Sequence, residues 1–256
     1  MSTNISLDGT QAIFTYAFKD PRWKMKFFIG TLIGLLGYIV PVLPGILLLG
    51  YGATIMRQII VDNAGPSLPE WDDWGTLFSR GIKMFGAMFI YFLPVTILVV
   101  GGYVLMMFPM FATVFSENRY GTPSSNLVGF QVLGMFGGMS MFFIGMFLSL
   151  PISLFLPPAI AHGVAKDSFA AAFRIKEWWK VLRANLGGFF TAFVLIGGIY
   201  FILIFIAQMV YMTIILCFLL PILLNVLMIY MSMVSAAAVG EAYRRGVEKL
   251  TPTPVS

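Results

Sequence analysis

Four long stretches of this 256-residue chain contain no Asp, Glu, Lys or Arg, and they decide what the chain can fold into. The uncharged stretches are residues 27–56, 84–116, 120–165 and 184–240. A helix needs about 20 apolar residues to cross the roughly 30 Å hydrocarbon core of a bilayer. Each stretch is longer than that, so the sequence predicts an all-α fold, a polytopic membrane helical bundle.

The composition excludes the soluble and disordered classes of protein. The chain is 59% hydrophobic and 11% charged, whereas soluble domains average about 45–50% apolar and about 25% charged residues. So few charges cannot cover a surface that faces water, and so many apolar residues do not stay disordered. The single cysteine, Cys217, cannot build a disulfide framework.

Breaks within the uncharged stretches predict six apolar helices in a single integral-membrane domain, residues 1–256. The predicted helices span about residues 27–40, 45–60, 84–108, 127–157, 187–208 and 212–240. Around them the sequence predicts an interfacial N-terminal segment (1–26), a broken hairpin (27–60), a cytoplasmic acidic and aromatic segment (61–83), a transmembrane bundle (84–245) and a flexible tail (246–256).

The first stretch is broken by Pro41-Val-Leu-Pro-Gly45, which leaves two arms that are each shorter than a full span. It is therefore either one kinked span or a hairpin whose ends return to the same side. The hairpin places 15 of the 16 Lys and Arg residues on one side, whereas the kinked span divides them 11 to 5. Because basic residues concentrate on the cytoplasmic side, the hairpin is favoured and both termini are expected to be cytoplasmic.

Three amphipathic segments flank the apolar helices. Asp20-Pro21 is typical of a helix start, residues 67–70 fit a capping box, and residues 167–185 form the third segment. Tryptophan in such segments commonly sits at the membrane interface. The predicted interface anchors are Trp23, Trp71, Trp74, Trp178 and Trp179.

The third amphipathic segment carries a basic row. Lys176, Lys180 and Arg183 are spaced i, i+4 and i+7, so they share one edge of a helix. A basic row beside aromatic residues suits the headgroups of anionic lipids. These three residues are the lipid-headgroup candidates, and simple anchoring of the topology is the alternative.

Two features invite a catalytic interpretation. Glu70, Asp72 and Asp73 form an acidic block, but with no His or Cys nearby we interpret them as a solvated acidic helix start. His162 is the only histidine, so it cannot complete a familiar zinc site, and we expect a hydrogen-bonded histidine near the interface.

The methionine-rich region, residues 105–148, invites a copper interpretation. Met135, Met139, Met141 and Met146 offer thioethers, but the neighbouring glycines favour close helix packing instead. The sequence therefore predicts no metal, no cofactor and no catalytic residue.

Apart from Arg57 at the end of the second predicted helix, no Asp, Glu, Lys or Arg lies inside a predicted span, and no phosphate-binding or hydrolase motif occurs. We therefore expect a non-enzymatic structural or accessory module that contacts membrane lipids or partner membrane proteins, with self-association through Gly-rich faces as one form of contact. Nucleic acid is not an expected partner.

The alternative is a transporter or channel for a small uncharged or apolar solute, built on the broken hairpin and on Gln131, Gln208 and Asn225. A lipid-acting enzyme ranks third and would need His162 beside the acidic block.

Several local patterns together resemble the prokaryotic integral-membrane family catalogued as domain of unknown function 4013. The resemblance rests on Tyr16-Ala-Phe-Lys-Asp-Pro-Arg-Trp23, Ile29-Gly30, Leu49-Gly-Tyr51, Arg57, Leu68-Pro-Glu-Trp-Asp-Asp-Trp74, Leu77-Phe78, Leu156-Pro-Pro-Ala-Ile160, Ala170-Ala-Ala-Phe173 and Val239-Gly-Glu-Ala-Tyr-Arg244. It runs from about residue 16 to residue 245, and residues 105–148 depart from the pattern. It implies a multi-pass protein of a bacterial or archaeal cell membrane and no established activity.

The hairpin makes a prediction about topology. Tags on both termini should be inaccessible from outside in right-side-out membrane vesicles and should become accessible when the vesicles are permeabilised. A tag between residues 120 and 126 is the matched control, because that loop is expected on the outer side. An N-terminal tag that is accessible from outside would contradict the hairpin.

Overall fold

The computed structural model describes residues 10–62, 67–120, 125–213 and 219–251, with the backbone alone at residue 10 and at 113–120 and 125–127. All regular secondary structure in these ranges is helical. The α-helices of the described residues are α1 (Thr10–Thr15), α2 (Trp23–Leu36), α3 (Leu43–Arg57), α4 (Trp74–Tyr120), α5 (Ser125–Ala165), α6 (Ile175–Ala184), α7 (Leu186–Tyr211) and α8 (Leu220–Leu250).

Five helical segments are long and apolar enough to cross a membrane, which confirms the predicted class of fold. They are Leu43–Asp62, Trp74–Ala112, Val128–Ala165, Leu186–Tyr211 and Leu220–Leu250. The remaining apolar helix, α2, has 14 residues, or about 21 Å at 1.5 Å per residue. It is too short to cross alone, as predicted for both arms of the hairpin, whereas the second arm, Leu43–Asp62, has 20 residues and is longer than predicted.

The chain divides into two compact units, Met1–Ala87 with Pro157–Ser256 and Met88–Leu156. In the first unit α8 is the central helix, and α2, α3, α6 and α7 all contact it. Nearly every residue of α8 from Met231 to Tyr243 is buried. Small residues such as Ala237 and Gly240 allow the surrounding helices to come this close.

Glycines set two of these helix contacts. A Cβ at Gly50 of α3 would strike the backbone oxygen of Leu77, so α3 and α4 cross here at backbone contact. In α2, the small-residue face formed by Gly30 and Gly34 packs on α8, where Gly34 lies against the side chain of Asn225. This small-residue face therefore serves packing inside the chain.

In the second unit, Met88–Leu156, α4 and α5 pack through glycines of the methionine-rich region. A Cβ at Gly102 would lie 2.6 Å from the backbone oxygen of Gly138, and one at Gly134 would lie 2.5 Å from Cγ of Pro109. Met135, Met139 and Met146 are exposed. The interpretation of these glycines as close helix packing is confirmed.

Several predicted boundaries are wrong. No helix begins at residue 67, because residues 67–73 are non-helical and α4 begins at Trp74. The predicted surface segment 61–83 therefore does not exist as a separate helix. At the other end of the chain, α8 continues to Leu250, so the first residues of the predicted tail are helical; residues 252–256 lie outside the described part.

The broken segment forms a hairpin. Helices α2 and α3 contact each other, and Lys26 near the start of α2 and Tyr51 in the middle of α3 both contact Trp71. The indole N–H of Trp71 donates to the backbone oxygen of Lys26, 3.0 Å away. Its ring stacks on Tyr51 of α3 with the ring centroids 4.1 Å apart. Because α3 packs back against α2 in this way, the segment does not form a single kinked span.

The linker of the hairpin holds a strained residue. Val42 has a φ of 75° and a ψ of −54°, and the N–H of Leu43 donates to the oxygen of Pro41. This geometry is a γ-turn of the rare positive-φ type. For a β-branched residue such a φ is a genuine outlier.

Replacing Val42 by glycine should stabilise the protein. Removal of the Cβ relieves a cost of roughly 1–2 kcal/mol, against roughly 0.5–1 kcal/mol for the greater freedom of glycine in the unfolded chain. We expect a net gain of about 0.5–1 kcal/mol, seen as a higher melting temperature in detergent. Val40→Gly, in the same exposed linker without a positive φ, is the control and should be destabilising. Equal losses in both variants would contradict the assignment of strain.

Candidate functional site

The predicted basic row lies on the outer face of α6. Trp178, Val181 and Leu182 are buried on its inner face, and α6 packs on α8. The contact is close, since a Cβ at Gly246 of α8 would lie 2.8 Å from the backbone oxygen of Val181. The residues of the basic row, Lys176, Lys180 and Arg183, are all exposed.

The five predicted interface anchors divide into two groups. Trp71 and Trp178 are buried in the protein, so packing rather than contact with lipid accounts for them. Trp74 is exposed, and Trp23 and Trp179 are half-buried. The guanidinium of Arg183 lies 5.3 Å from the ring centroid of Trp179, a cation–π contact that fixes one end of the basic row.

A buried ion pair lies where the hairpin ends meet the segment 67–71. The Lys26 ammonium contacts the carboxylates of Asp20 at 2.8 Å and Glu70 at 2.6 Å, and it donates to the backbone oxygen of Leu68 at 2.6 Å. An ammonium has three N–H donors, and all three have an acceptor here. Asp20 and Lys26 are each 4% or less exposed.

Asp20 is equally well satisfied. Its carboxylate accepts hydrogen bonds from the Lys26 ammonium and from the backbone N–H groups of Arg22 and Leu68. Burial alone would raise the pKa of Asp20, but the hydrogen bonds from Lys26 and the two N–H groups outweigh it and hold this pKa below its ordinary value. The expected role of Asp20 as a helix cap is wrong, because α2 begins at Trp23.

Two tyrosines complete the attachment of the segment 67–71. The hydroxyl of Tyr16 donates to the backbone oxygen of Ser67, and that of Tyr51 donates to the oxygen of Pro69. Burial raises the pKa of Tyr16 far above neutral pH, so this hydroxyl keeps its proton. Side chains of distant residues thus bind the backbone oxygens of Ser67 and Pro69, which in a helix starting at Ser67 would accept hydrogen bonds from within that helix.

The acidic block separates into different structural roles. Glu70 pairs with Arg22 and Lys26. Asp73 accepts the N–H of Thr76 at 3.0 Å and so caps the start of α4. Hydrogen bonds from the side chain and the N–H of Thr76 lower the pKa of Asp73. The expected acidic helix start is confirmed for Asp73, the cap of α4, whereas Glu70 precedes the helix and pairs with the buried Lys26.

His162 joins three helices of the first unit. Its Nε2 lies 3.0 Å from a carboxylate oxygen of Glu177 in α6, and its Nδ1 lies 2.6 Å from the hydroxyl of Tyr243 in α8. Because an ionised carboxylate only accepts, Nε2 carries the proton and donates to Glu177. In the neutral ring Nδ1 then accepts from Tyr243. The predicted hydrogen-bonded histidine is confirmed, and its hydrogen bond lowers the pKa of Glu177.

A third polar cluster lies where α7 begins and α8 ends. Glu241 is 4% exposed and pairs with Arg244 and Arg245. Asn185 donates to the oxygen of Ala242 and accepts from Lys249. Sequence reasoning did not identify these residues, nor Lys26, Glu177 and Tyr243, as candidate functional residues. It considered polar groups inside the uncharged stretches, whereas these groups lie at or beyond the ends of the stretches.

The three amides of the transport alternative do not share a described cavity. Asn225 lines a pocket between α2 and α8, and Gln208 lines another between α7 and α8. Gln131 belongs to the second unit. At the hairpin tip, Tyr38 and Ile39 are 66% and 78% exposed, so the break does not line an enclosed cavity.

Within the described ranges, no three His, Cys, Asp or Glu residues are placed to hold a metal ion. The arrangement that a lipid-acting enzyme would need is also not the one formed. His162 contacts Tyr243 and Glu177, whereas Glu70 of the acidic block contacts Arg22 and Lys26.

A family model described as "Protein of unknown function (DUF4013)" matches residues 33–212, well over half of the chain. The chain belongs to the DUF4013 family. The match covers the hairpin tip, the Pro-Glu-Trp-Asp-Asp-Trp block and α6. Two of the sequence patterns on which the resemblance was based, residues 16–23 and residues 239–244, lie outside it. The DUF4013 match is thus narrower than the expected range, and it spans the methionine-rich region. No curated protein and no solved structure matches the chain.

The ion pair makes a prediction about stability. Asp20→Asn should cost about 3 kcal/mol of unfolding free energy, because it weakens the buried partner of Lys26. The double variant Asp20→Asn with Lys26→Met should cost less than the sum of the two single variants. Denaturation in detergent measures both. Asp72→Asn, an exposed carboxylate on the same segment, is the control.

The same pair sets a pH dependence. The pKa of Asp20 is lower in the folded protein than in the unfolded chain, where it is about 3.9. Its contribution is therefore fully present above about pH 5 and is lost as the pH falls through the folded pKa. The stability difference between wild type and Asp20→Asn should shrink on acidification below pH 4. A difference that stays constant to pH 2 would contradict this assignment.

Proposed function

We propose that this protein is a non-enzymatic membrane module whose helix α6 holds anionic lipid headgroups. The observation that carries the proposal is the division of α6 into a buried face of Trp178, Val181 and Leu182 and an exposed basic row. An amphipathic helix that is anchored on one face and basic on the other suits the surface of an anionic leaflet.

The energies fit such a role. Each basic residue close to an anionic leaflet contributes about 1 kcal/mol of attraction, so the three residues of the row contribute about 3 kcal/mol before screening. Burial of the inner face against α8 holds α6 in place without lipid. The row is thus pre-formed, and lipid or an acidic partner protein would bind it without a cost of folding.

The proposed location is the cell membrane of a bacterium or archaeon, with both termini and α6 on the cytoplasmic side. The charge distribution supports this orientation, since the only basic residue expected on the other side is Arg119. Anionic lipids of the cytoplasmic leaflet are then within reach of the basic row.

Transport of a small apolar solute remains the second candidate. The pocket lined by Gly34, Tyr38 and Asn225 places one amide at the edge of the hairpin, and this observation favours it. Uptake of an uncharged solute by proteoliposomes that Asn225→Leu abolishes would favour this function over the lipid module.

The test of the lipid proposal is a triple variant, Lys176→Gln, Lys180→Gln and Arg183→Gln, reconstituted in anionic nanodiscs. We expect amide exchange across residues 175–184 to be faster than in wild type, and the two proteins to behave alike in neutral nanodiscs. A control triple variant, Lys19→Gln, Lys24→Gln and Lys166→Gln, removes the same charge from other exposed sites. Equal protection of α6 in wild type and the first triple variant in anionic lipid would refute the proposal.

A further inference from the structure

Three uncharged stretches of the chain end at one small recess of the first unit. Arg57 follows the first stretch, Lys83 precedes the second, and Asp167 comes just after the third. Arg80, Lys83, Gly163, Val164, Asp167 and Ser168 line the recess together with small apolar residues of α3, α4 and α5. The recess shares no residue with the basic row of α6, so a ligand of the recess is independent of the function proposed for that row.

The recess has more positive charge than its own groups neutralise. Lys83 pairs with Asp167 at 2.9 Å. The guanidinium of Arg80 donates to the hydroxyl of Thr54, 3.1 Å away, and that of Arg57 donates to the backbone oxygen of Val164, 3.0 Å away. Both of these acceptors are neutral. Arg80 and Lys83 line the recess and Arg57 lies next to it, so three cations are close to one carboxylate.

One hydrogen-bond donor of the recess is buried without a partner. The Nε of Arg80 is inaccessible to solvent and has no acceptor within hydrogen-bond distance. A buried donor left without an acceptor is costly, and a charged one more so. An anion that brings oxygen atoms to Arg80 would remove this cost.

The backbone at the end of α5 shapes the opposite wall. The N–H of Ser168 donates to the oxygen of Gly163 and that of Asp167 to the oxygen of Val164. Asp167 has a φ of 48°, in the left-handed conformation that ends many helices. This turn holds the Asp167 carboxylate beside Lys83, where it occupies part of the space that an anion would use.

We propose that this recess binds a phosphate group, with Arg80 and Lys83 as its cationic ligands and with Arg57, which lies behind Val164, as a further positive charge nearby. The fork of a guanidinium matches the oxygens of a phosphate, and lysine adds a point charge. The recess has about 30 Å³ of room for small molecules, which suits a single polar group and excludes a ligand of drug size.

Two sources could supply such a group, a lipid headgroup and a soluble phosphate. The recess lies where charged residues replace the uncharged surfaces of three helices, which is the depth of lipid phosphates in a bilayer. The proposal therefore expects a phosphate carried on a lipid to bind more tightly than inorganic phosphate.

The test uses the full chain in a neutral detergent, titrated with short-chain phosphatidic acid, short-chain phosphatidylcholine or sodium phosphate, and followed by calorimetry. We expect saturable binding of phosphatidic acid and about tenfold weaker binding by Arg80→Gln, the loss of one charge-assisted hydrogen bond. Asp167→Asn should bind severalfold more tightly, because it removes the competing carboxylate. Lys19→Gln, at an exposed site outside both the recess and the basic row, removes the same charge and should bind like wild type.

Each outcome has a consequence for the proposal. Binding of phosphatidic acid that responds to both variants supports it with a lipid source, and binding of inorganic phosphate with the same responses supports it with a soluble source. Equal binding by wild type, Arg80→Gln and Asp167→Asn would overturn it, as would a lack of saturable binding by either phosphate. Lys83→Gln gives the same test should Arg80→Gln fail to fold, because Lys83 also lines the recess, and thermal melting identifies such a failure.

Discussion

The buried Lys26 ammonium is the group on which the hairpin end of this fold depends. A charge with so little exposure is stable only when every N–H finds an acceptor. Asp20, Glu70 and the oxygen of Leu68 supply the three acceptors, and they come from two separate parts of the chain. The need to satisfy one ammonium therefore holds the N-terminal segment, α2 and the segment 67–71 together.

Other polar clusters follow the same principle at the ends of other helices. His162, Glu177 and Tyr243 connect α5, α6 and α8, and Asn185 connects α7 to α8. Between these ends the helices pack through apolar and small residues, which give little directional specificity by themselves. Hydrogen-bonded polar groups add that direction, because each has few geometries in which all its donors and acceptors are satisfied.

The helices were predictable from the sequence and the polar clusters were not. Uncharged length reveals α4, α5, α7 and α8 because a membrane span must be apolar along its length. The cap at Asp73 was misplaced to Ser67, because a capping box is a local pattern whereas the backbone of Leu68 is bound by distant residues, Asp20 and Lys26. Burial of Trp71 and Trp178 was missed for the same reason, since the sequence shows that a tryptophan is amphipathic but not which neighbour covers it.

The polar clusters differ in whether every buried hydrogen-bonding group has a partner. This difference distinguishes the clusters that stabilise the fold from one that can bind a ligand. The donors of Lys26 all have acceptors, and both ring nitrogens of His162 have partners. These groups have no hydrogen-bonding capacity left for a ligand, so they hold the fold. At the recess, Arg57 and Arg80 donate only to neutral oxygens, and Nε of Arg80 has no acceptor. A buried donor is rarely left without an acceptor, so the missing acceptor of the Arg80 Nε is the observation that the proposed phosphate would explain.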